Sequence, residues 1–126
     1  MGNPVIHFEI AGRDGRKLES FYAQLFGWKI DRREAGGHPY GQIHTGDEGG
    51  IGGGIRHEPE GRAEVVFYVK VPNLAVAVAK AEQLGAAVRI PPIETPEVTF
   101  AVITDPEGNP VGMIQKKSVE IAKTLA

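Results

Sequence analysis

Two stretches of this chain alternate apolar and polar side chains as a half-buried strand does. They are Val5–Ile10, read VIHFEI, and Val65–Val71, read VVFYVKV. A helical pattern follows each. The first opens at Asp14, a good N-cap residue, and repeats Leu18, Phe21, Tyr22, Leu25 and Phe26 at helical spacing before Gly27. The second opens at Asn73, after Pro72, carries Leu74, Ala77, Val78, Ala81 and Leu84, and stops at Gly85. Three short strand patterns then follow in each half: near 28–34, 40–45 and 50–56, and again near 87–93, 98–103 and 110–115. Turn signals separate them, among them Gly36-Gly37, Pro91-Pro92 and the run Asp105-Pro106-Glu107-Gly108-Asn109.

The halves superimpose as sequence. Placing Ile6-His7-Phe8 over Val65-Val66-Phe67 also places Gly49–Ile55 over Gly108–Ile114. The expected architecture is therefore α+β, with a β-α-β-β-β module at about 4–57 and another at about 63–115. A polar linker joins them, and a tail at 116–126 has a helical pattern. At 126 residues the chain is expected to be one domain. A four-stranded unit with one helix buries only one face of its sheet. Two units joined edge to edge would close a curved mixed sheet around a concave pocket. Alternation assigns Ile6, Phe8 and Ile10 to the helix side of the first strand, and His7 and Glu9 to the concavity. In the second module Val65, Phe67, Val69 and Val71 are expected under the helix. Val66, Tyr68 and Lys70 take the other face.

Composition narrows the function classes. A formal charge of -2 offers no long-range attraction to nucleic acid or to an anionic membrane. Cysteine is absent, which removes disulfides, thiolate catalysis and cysteine-based zinc sites. No apolar run approaches membrane-spanning length and the first residues lack a signal-peptide layout, so a cytoplasmic protein is expected. The glycine-rich run GDEGGIGGGI, residues 46–55, invites a phosphate-loop reading. That reading fails on spacing: no lysine-serine pair follows, Ile55 breaks the dinucleotide pattern, and Pro59 stops any helix.

The segments HFEI, SFYAQLFGW, the glycine-rich fourth strand, FYVKVPNL and DPEGNPVGMIQ occur in this order over residues 4–115. Together they resemble the vicinal oxygen chelate superfamily, which includes glyoxalase I, extradiol dioxygenases and bleomycin-resistance proteins. Among its members, small bacterial glyoxalase-related proteins are the most similar. The resemblance implies metal ligands on the first and last strands of each module. Carried onto this chain, those positions fall on His7, on Gly52 or Gly53, on Val66 and on Gly112. Only His7 is a ligating residue. A catalytic metal usually keeps three protein ligands, so no metal or other cofactor is expected.

The concavity is expected to bind a small, partly apolar or aromatic molecule through His7, Tyr40, Gly52, Gly53, Val66, Tyr68, Phe100 and Gly112. Two functions stay open. One is a binding module, like the antibiotic-resistance members. The other is a metal-independent lyase or isomerase with His7 or Glu9 as general base on a carbonyl-bearing metabolite. A homodimer is expected, with neither nucleic acid nor membrane as partner. Trp28, Phe21, Tyr22 and Phe26 are read as packing residues, His38 and His57 as solvated turn residues, and DPEGN as a structural turn. The glycines of the fourth strand, with Gly112, are read as leaving space for close approach of a ligand or backbone.

Overall fold

A computed structural model describes residues 2–35, 38–46 and 49–117. The expected tail lies outside these beyond Lys117. The elements run β1 (Val5–Gly12), α1 (Gly15–Phe26), β2 (Lys29–Ala35), β3 (His38–His44), β4 (Gly52–His57), β5 (Glu64–Lys70), α2 (Leu74–Gln83), β6 (Ala87–Glu94), β7 (Val98–Thr104) and β8 (Pro110–Lys116). This is the doubled β-α-β-β-β order of a mixed α+β fold. Ile6–Phe67 makes one compact unit, and the described residues of Met1–Val5 and Tyr68–Ala126 make the other.

Helix α1 begins where local chemistry starts it. The Asp14 side chain accepts a hydrogen bond from the Lys17 N–H, and Gly27 closes the helix in the left-handed region at φ 71°. Asn73 caps α2 in the same manner through the Val76 N–H. The Gln115 side chain, from β8, adds an acceptor for the Leu74 N–H at 2.7 Å. These bonds satisfy donors that a helix start cannot pair internally.

In the first unit the strand order is β2-β3-β4-β1. β1 pairs parallel with β4, with His7 opposite Gly52 and Glu9 opposite Gly54. β3 pairs antiparallel with β4, with Tyr40 opposite Arg56. Ile10, Ile43 and Ile55 form the core under α1, and Phe8, Leu18, Tyr22, Trp28 and Ile30 pack against it. Trp28 stacks on Tyr22 with ring centroids 5.5 Å apart and meets the Phe8 and Phe26 rings nearby.

 Two aromatic residues depart from the expected packing: Phe21 and Phe26 are more than half exposed, as is Leu25. Leu18 and Tyr22 define the inward stripe of α1, which leaves Phe21 and Leu25 on its outer side.

In the second unit the strand order is β5-β8-β7-β6. Val71, Leu74, Val78, Ala101, Ile103 and Met113 form its core, with Val69, Val88 and Val111 packed around them. The alternation along β5 holds, since Val66 and Tyr68 are buried while Val69 and Val71 turn toward α2. The expectation that Val65 and Phe67 lie under the helix is corrected: they are 61% and 44% exposed. α2 spans ten residues and rests on β6, β7 and β8. Leu84, expected on its buried face, is exposed as well, because the helix ends at Gln83.

The expected turn at Asp105–Asn109 is built around one carboxylate. Asp105 accepts from the Glu107 N–H, the Asn109 N–H and the Asn109 side-chain amide, each at 2.9 Å. These bonds, the Asn109 side chain first, hold its carboxyl below the ordinary carboxylate range. Gly108, at φ 93°, lets the chain reverse into β8.

Candidate functional site

The face of the first sheet turned away from α1 carries a polar cluster. Strand parity places His7 and Glu9 there from β1, Gly52, Gly54 and Arg56 from β4, and Tyr40, Gln42 and His44 from β3. Tyr40 joins two of these groups. Its hydroxyl donates to Glu9 Oε2 at 3.1 Å and lies 3.0 Å from His7 Nε2. Glu9 Oε1 lies 3.0 Å from Arg56 Nη1. Glu9 is 9% exposed, so its charge has been taken largely out of water. A buried carboxylate needs such partners, because desolvation of an unpaired charge costs on the order of several kcal/mol.

Arg56 is surrounded by acids. Besides Glu9, Glu58 Oε1 lies 3.0 Å from Nε and Glu64 Oε2 lies 3.6 Å from Nη2. The Glu58 contact is an ion pair without a hydrogen bond, since the geometry leaves Nε without an aligned acceptor. Burial lowers the His7 pKa below its usual 6.5, and the nearby Glu9 charge opposes that effect. Desolvation is the larger of the two, so the imidazole is neutral at pH 7.

The fourth-strand glycines do leave room, and aromatic rings occupy it. A Cβ on Gly54 would lie 1.7 Å from the Tyr40 hydroxyl oxygen. One on Gly53 would lie 2.5 Å from the Phe8 ring, and one on Gly112 would lie 2.2 Å from the Tyr68 ring. Tyr68 also meets Phe100 edge-on, with ring centroids 6.5 Å apart. The expected open space for a ligand at these glycines is therefore corrected: a ring fills it at Gly53, Gly54 and Gly112. Gly53 is corrected further, because its missing Cβ faces Phe8 on the helix side and not His7. The parallel register pairs Gly52 with His7 and Gly53 with Phe8.

Other histidines fall into different settings. His44 lies 3.1 Å from Asp31 on an exposed stretch, away from the His7 network. His57, expected in a solvated turn, is instead half-buried at the end of β4, and its Nδ1 accepts the Gly15 N–H at 3.0 Å. It serves the start of α1. Two open grooves run along α1, of about 540 Å³ and about 420 Å³, and neither is lined by His7.

Arg56 was not singled out by the sequence reading. Its signal was the parity of β4, which follows from the assignment of Gly52 but needs the strand pairing to bring it beside Glu9. Of the positions where the family resemblance implies ligands, Gly52, Val66 and Gly112 carry no ligating side-chain atom, and Glu9 is held between a guanidinium and a phenol. Among the described residues no three His, Asp or Glu side chains converge as metal ligands.

The chain belongs to the glyoxalase-like domain family, whose model matches residues 7–114, and its doubled β-α-β-β-β order is the fold of the vicinal oxygen chelate superfamily. No curated protein matches the chain by sequence. Solved structures do match in fold. A hypothetical protein of Bacillus halodurans shares 12% identity at a TM-score of 0.72, over 94% of this chain and 97% of that one. Methylmalonyl-CoA epimerase of Mycobacterium tuberculosis shares 10% identity at 0.70, over 94% and 91%. A variant of the Streptomyces coelicolor epimerase, in complex with 2-nitronate-propionyl-CoA, shares 13% identity at 0.68, over 92% and 99%.

Proposed function

We propose that this protein binds a small, partly apolar or aromatic molecule at the polar sheet face around His7 and Tyr40, without a metal ion. The observation that carries the reading is the commitment of Glu9: Arg56 and Tyr40 engage both of its oxygens, which leaves His7 as the one ligating side chain at a family ligand position. Electrostatics favours binding over metal-free isomerisation. Removing a proton beside a carbonyl builds an oxyanion, which needs a metal, a cation or aligned donors. Among the described contacts, the cation that reaches this cluster, Arg56, already faces Glu9, Glu58 and Glu64. Solved epimerases of this fold hold CoA esters, which supports small-molecule binding as the general use of the scaffold. A cytoplasmic homodimer, with no nucleic-acid or membrane partner, completes the reading.

A second reading has one observation in its favour. The half-buried, neutral His7 is linked through Tyr40 to Glu9, an arrangement suited to a general base in a lyase or isomerase. Glu9 is the weaker base candidate, because accepting a proton would break its pairing with Arg56.

The test combines metal analysis with a ligand screen. After chelation and exchange into manganese, nickel or zinc, the protein is expected to retain less than a stoichiometric amount of ion. A stoichiometric ion, lost in His7→Ala, would overturn the metal-free reading. In a metabolite screen by thermal shift, His7→Ala is expected to weaken a hit by about tenfold, the scale of one hydrogen bond to a partly buried group. Turnover of that hit, abolished by His7→Ala while binding survives, would replace the binding reading with the catalytic one.

A further inference from the structure

Helix α1 carries two stripes. Leu18 and Tyr22 point into the core, while Lys17, Ser20, Phe21, Gln24 and Leu25 run along the outer side and are all exposed. Residues three and four apart on a helix are neighbours, so the outer five form one continuous strip. They line the open groove of about 540 Å³. Its apolar members are well exposed, Phe21 at 53% and Leu25 at 57%. The charges on α1 run against its own dipole. Beyond the Asp14 cap, the first turn carries Arg16 and Lys17 and no acid, and the last turn carries no base. Cations are favoured at the C-terminal end of a helix, where the carbonyls lie. α2 follows that rule, with Lys80 in its last turn. α1 departs from it in the way that suits an antiparallel copy of itself, whose bare last turn would meet this basic first turn.

We propose that the outer strip of α1 is the interface of a homodimer, packed antiparallel on α1 of a second copy about a two-fold axis between Ser20 and Phe21. That point is the middle of Gly15–Phe26. The axis sets each Phe21 beside the small Ser20 of the other copy. It also brings Arg16 and Lys17 to the partner's Leu25 and Gln24, over the carbonyls of the partner's last turn. Each copy thus offers a large apolar side chain, a small neighbour to receive it, and opposite partial charges at the two ends. This is the self-complementarity that a two-fold contact requires. The proposal rests on the homodimer reading and adds the surface, which that reading leaves open.

The chain has no cysteine, so one introduced thiol reports on the interface without background. Ser20→Cys puts that thiol next to the axis, facing its own copy. Under mild oxidation of the full chain it is expected to form a linked dimer at least about tenfold faster than Val76→Cys, because pairing raises its effective concentration. Val76 is exposed on α2, away from the proposed contact. Light scattering across a dilution series reads the energetics. Phe21→Glu is expected to raise the dimer dissociation constant at least about thirtyfold, as loss of an anchor at an interface centre does. Lys17→Glu suits the dipole of its own helix, yet it is expected to weaken the dimer about tenfold, through two symmetric contacts of about threefold each. Urea unfolding of the dilute proteins checks that each variant keeps its fold.

The two ways of failing are distinct. A dimeric wild type in which Ser20→Cys links no faster than Val76→Cys overturns the interface and keeps the homodimer. So does a folded Phe21→Glu that dimerises as the wild type does. A monomeric wild type overturns both. In that monomer, protection of the Ser20→Cys thiol from a thiol reagent would give the strip to another segment of this chain, and a reactive thiol would leave it to a different partner.

Discussion

His7 shows how much of a residue's chemistry is set by what lies across the sheet. Its place on the polar face follows from alternation in VIHFEI, but its neutral state follows from burial. That burial links stability to pH. The folded pKa lies below the unfolded value of 6.5, so the folded state binds fewer protons than the unfolded state in this window. The contribution of His7 is fully present above about pH 6.5 and is lost as pH falls through the folded pKa. Urea unfolding between pH 7.5 and pH 5 should therefore show less of a fall in His7→Gln than in the wild type. Equal pH slopes in the two proteins would contradict the assignment. The neighbouring Glu9 was legible as a face-sharing residue, whereas its partners were not: Tyr40 and Arg56 come from strands 31 and 47 positions away, and sequence spacing does not carry a pairing register.

At the scale of elements, helix and strand starts were the most legible features, because they are decided within a few residues. Asp14 and Asn73 cap α1 and α2 by bonds to residues three positions on. The second acceptor at the start of α1 was not legible, since His57 reaches Gly15 across 42 positions. Asp14→Ala is expected to lower stability by about 1 kcal/mol, as the loss of an N-cap does. His57→Ala should also destabilise, through a donor left unpaired at a half-buried site, by roughly 1 kcal/mol or more. Chemical denaturation checks both, and a neutral His57→Ala would show that water replaces the imidazole at no cost. The exposure of Val65 and Phe67 teaches the converse. Alternation placed them on the helix side, but the reach of a ten-residue helix decided that they stay uncovered.

For the whole molecule, doubling was legible because both halves repeat the same order of strand, helix and turn signals. The family match over residues 7–114 agrees with that order. Each unit also exposes large apolar side chains, Phe21, Leu25, Phe26, Val65 and Phe67 in one and Val76, Leu84 and Ile93 in the other. Extended exposed apolar surface commonly marks an association site, which supports the proposed homodimer. Light scattering after size exclusion should give about twice the 13.5 kDa of one chain. A mass of one chain across the micromolar range would remove the dimer. No helix among the described residues is long and apolar enough to cross a membrane.

By itself the sequence determined the element order, the caps and the faces of His7, Phe8, Glu9 and Ile10 on β1. These are local facts: side-chain period, cap chemistry and residue identity need no distant partner. Only the tertiary structure decided what the glycines of GDEGGIGGGI are for. A glycine records that a side chain is missing but not what takes its place, and that depends on which strand pairs alongside. β1 and β3 flank this strand, so Phe8 lies over Gly53 and Tyr40 over Gly54. Residues 52–55 of the run that invited a phosphate-loop reading begin a strand shaped to admit two aromatic rings, one for the core and one for the polar site.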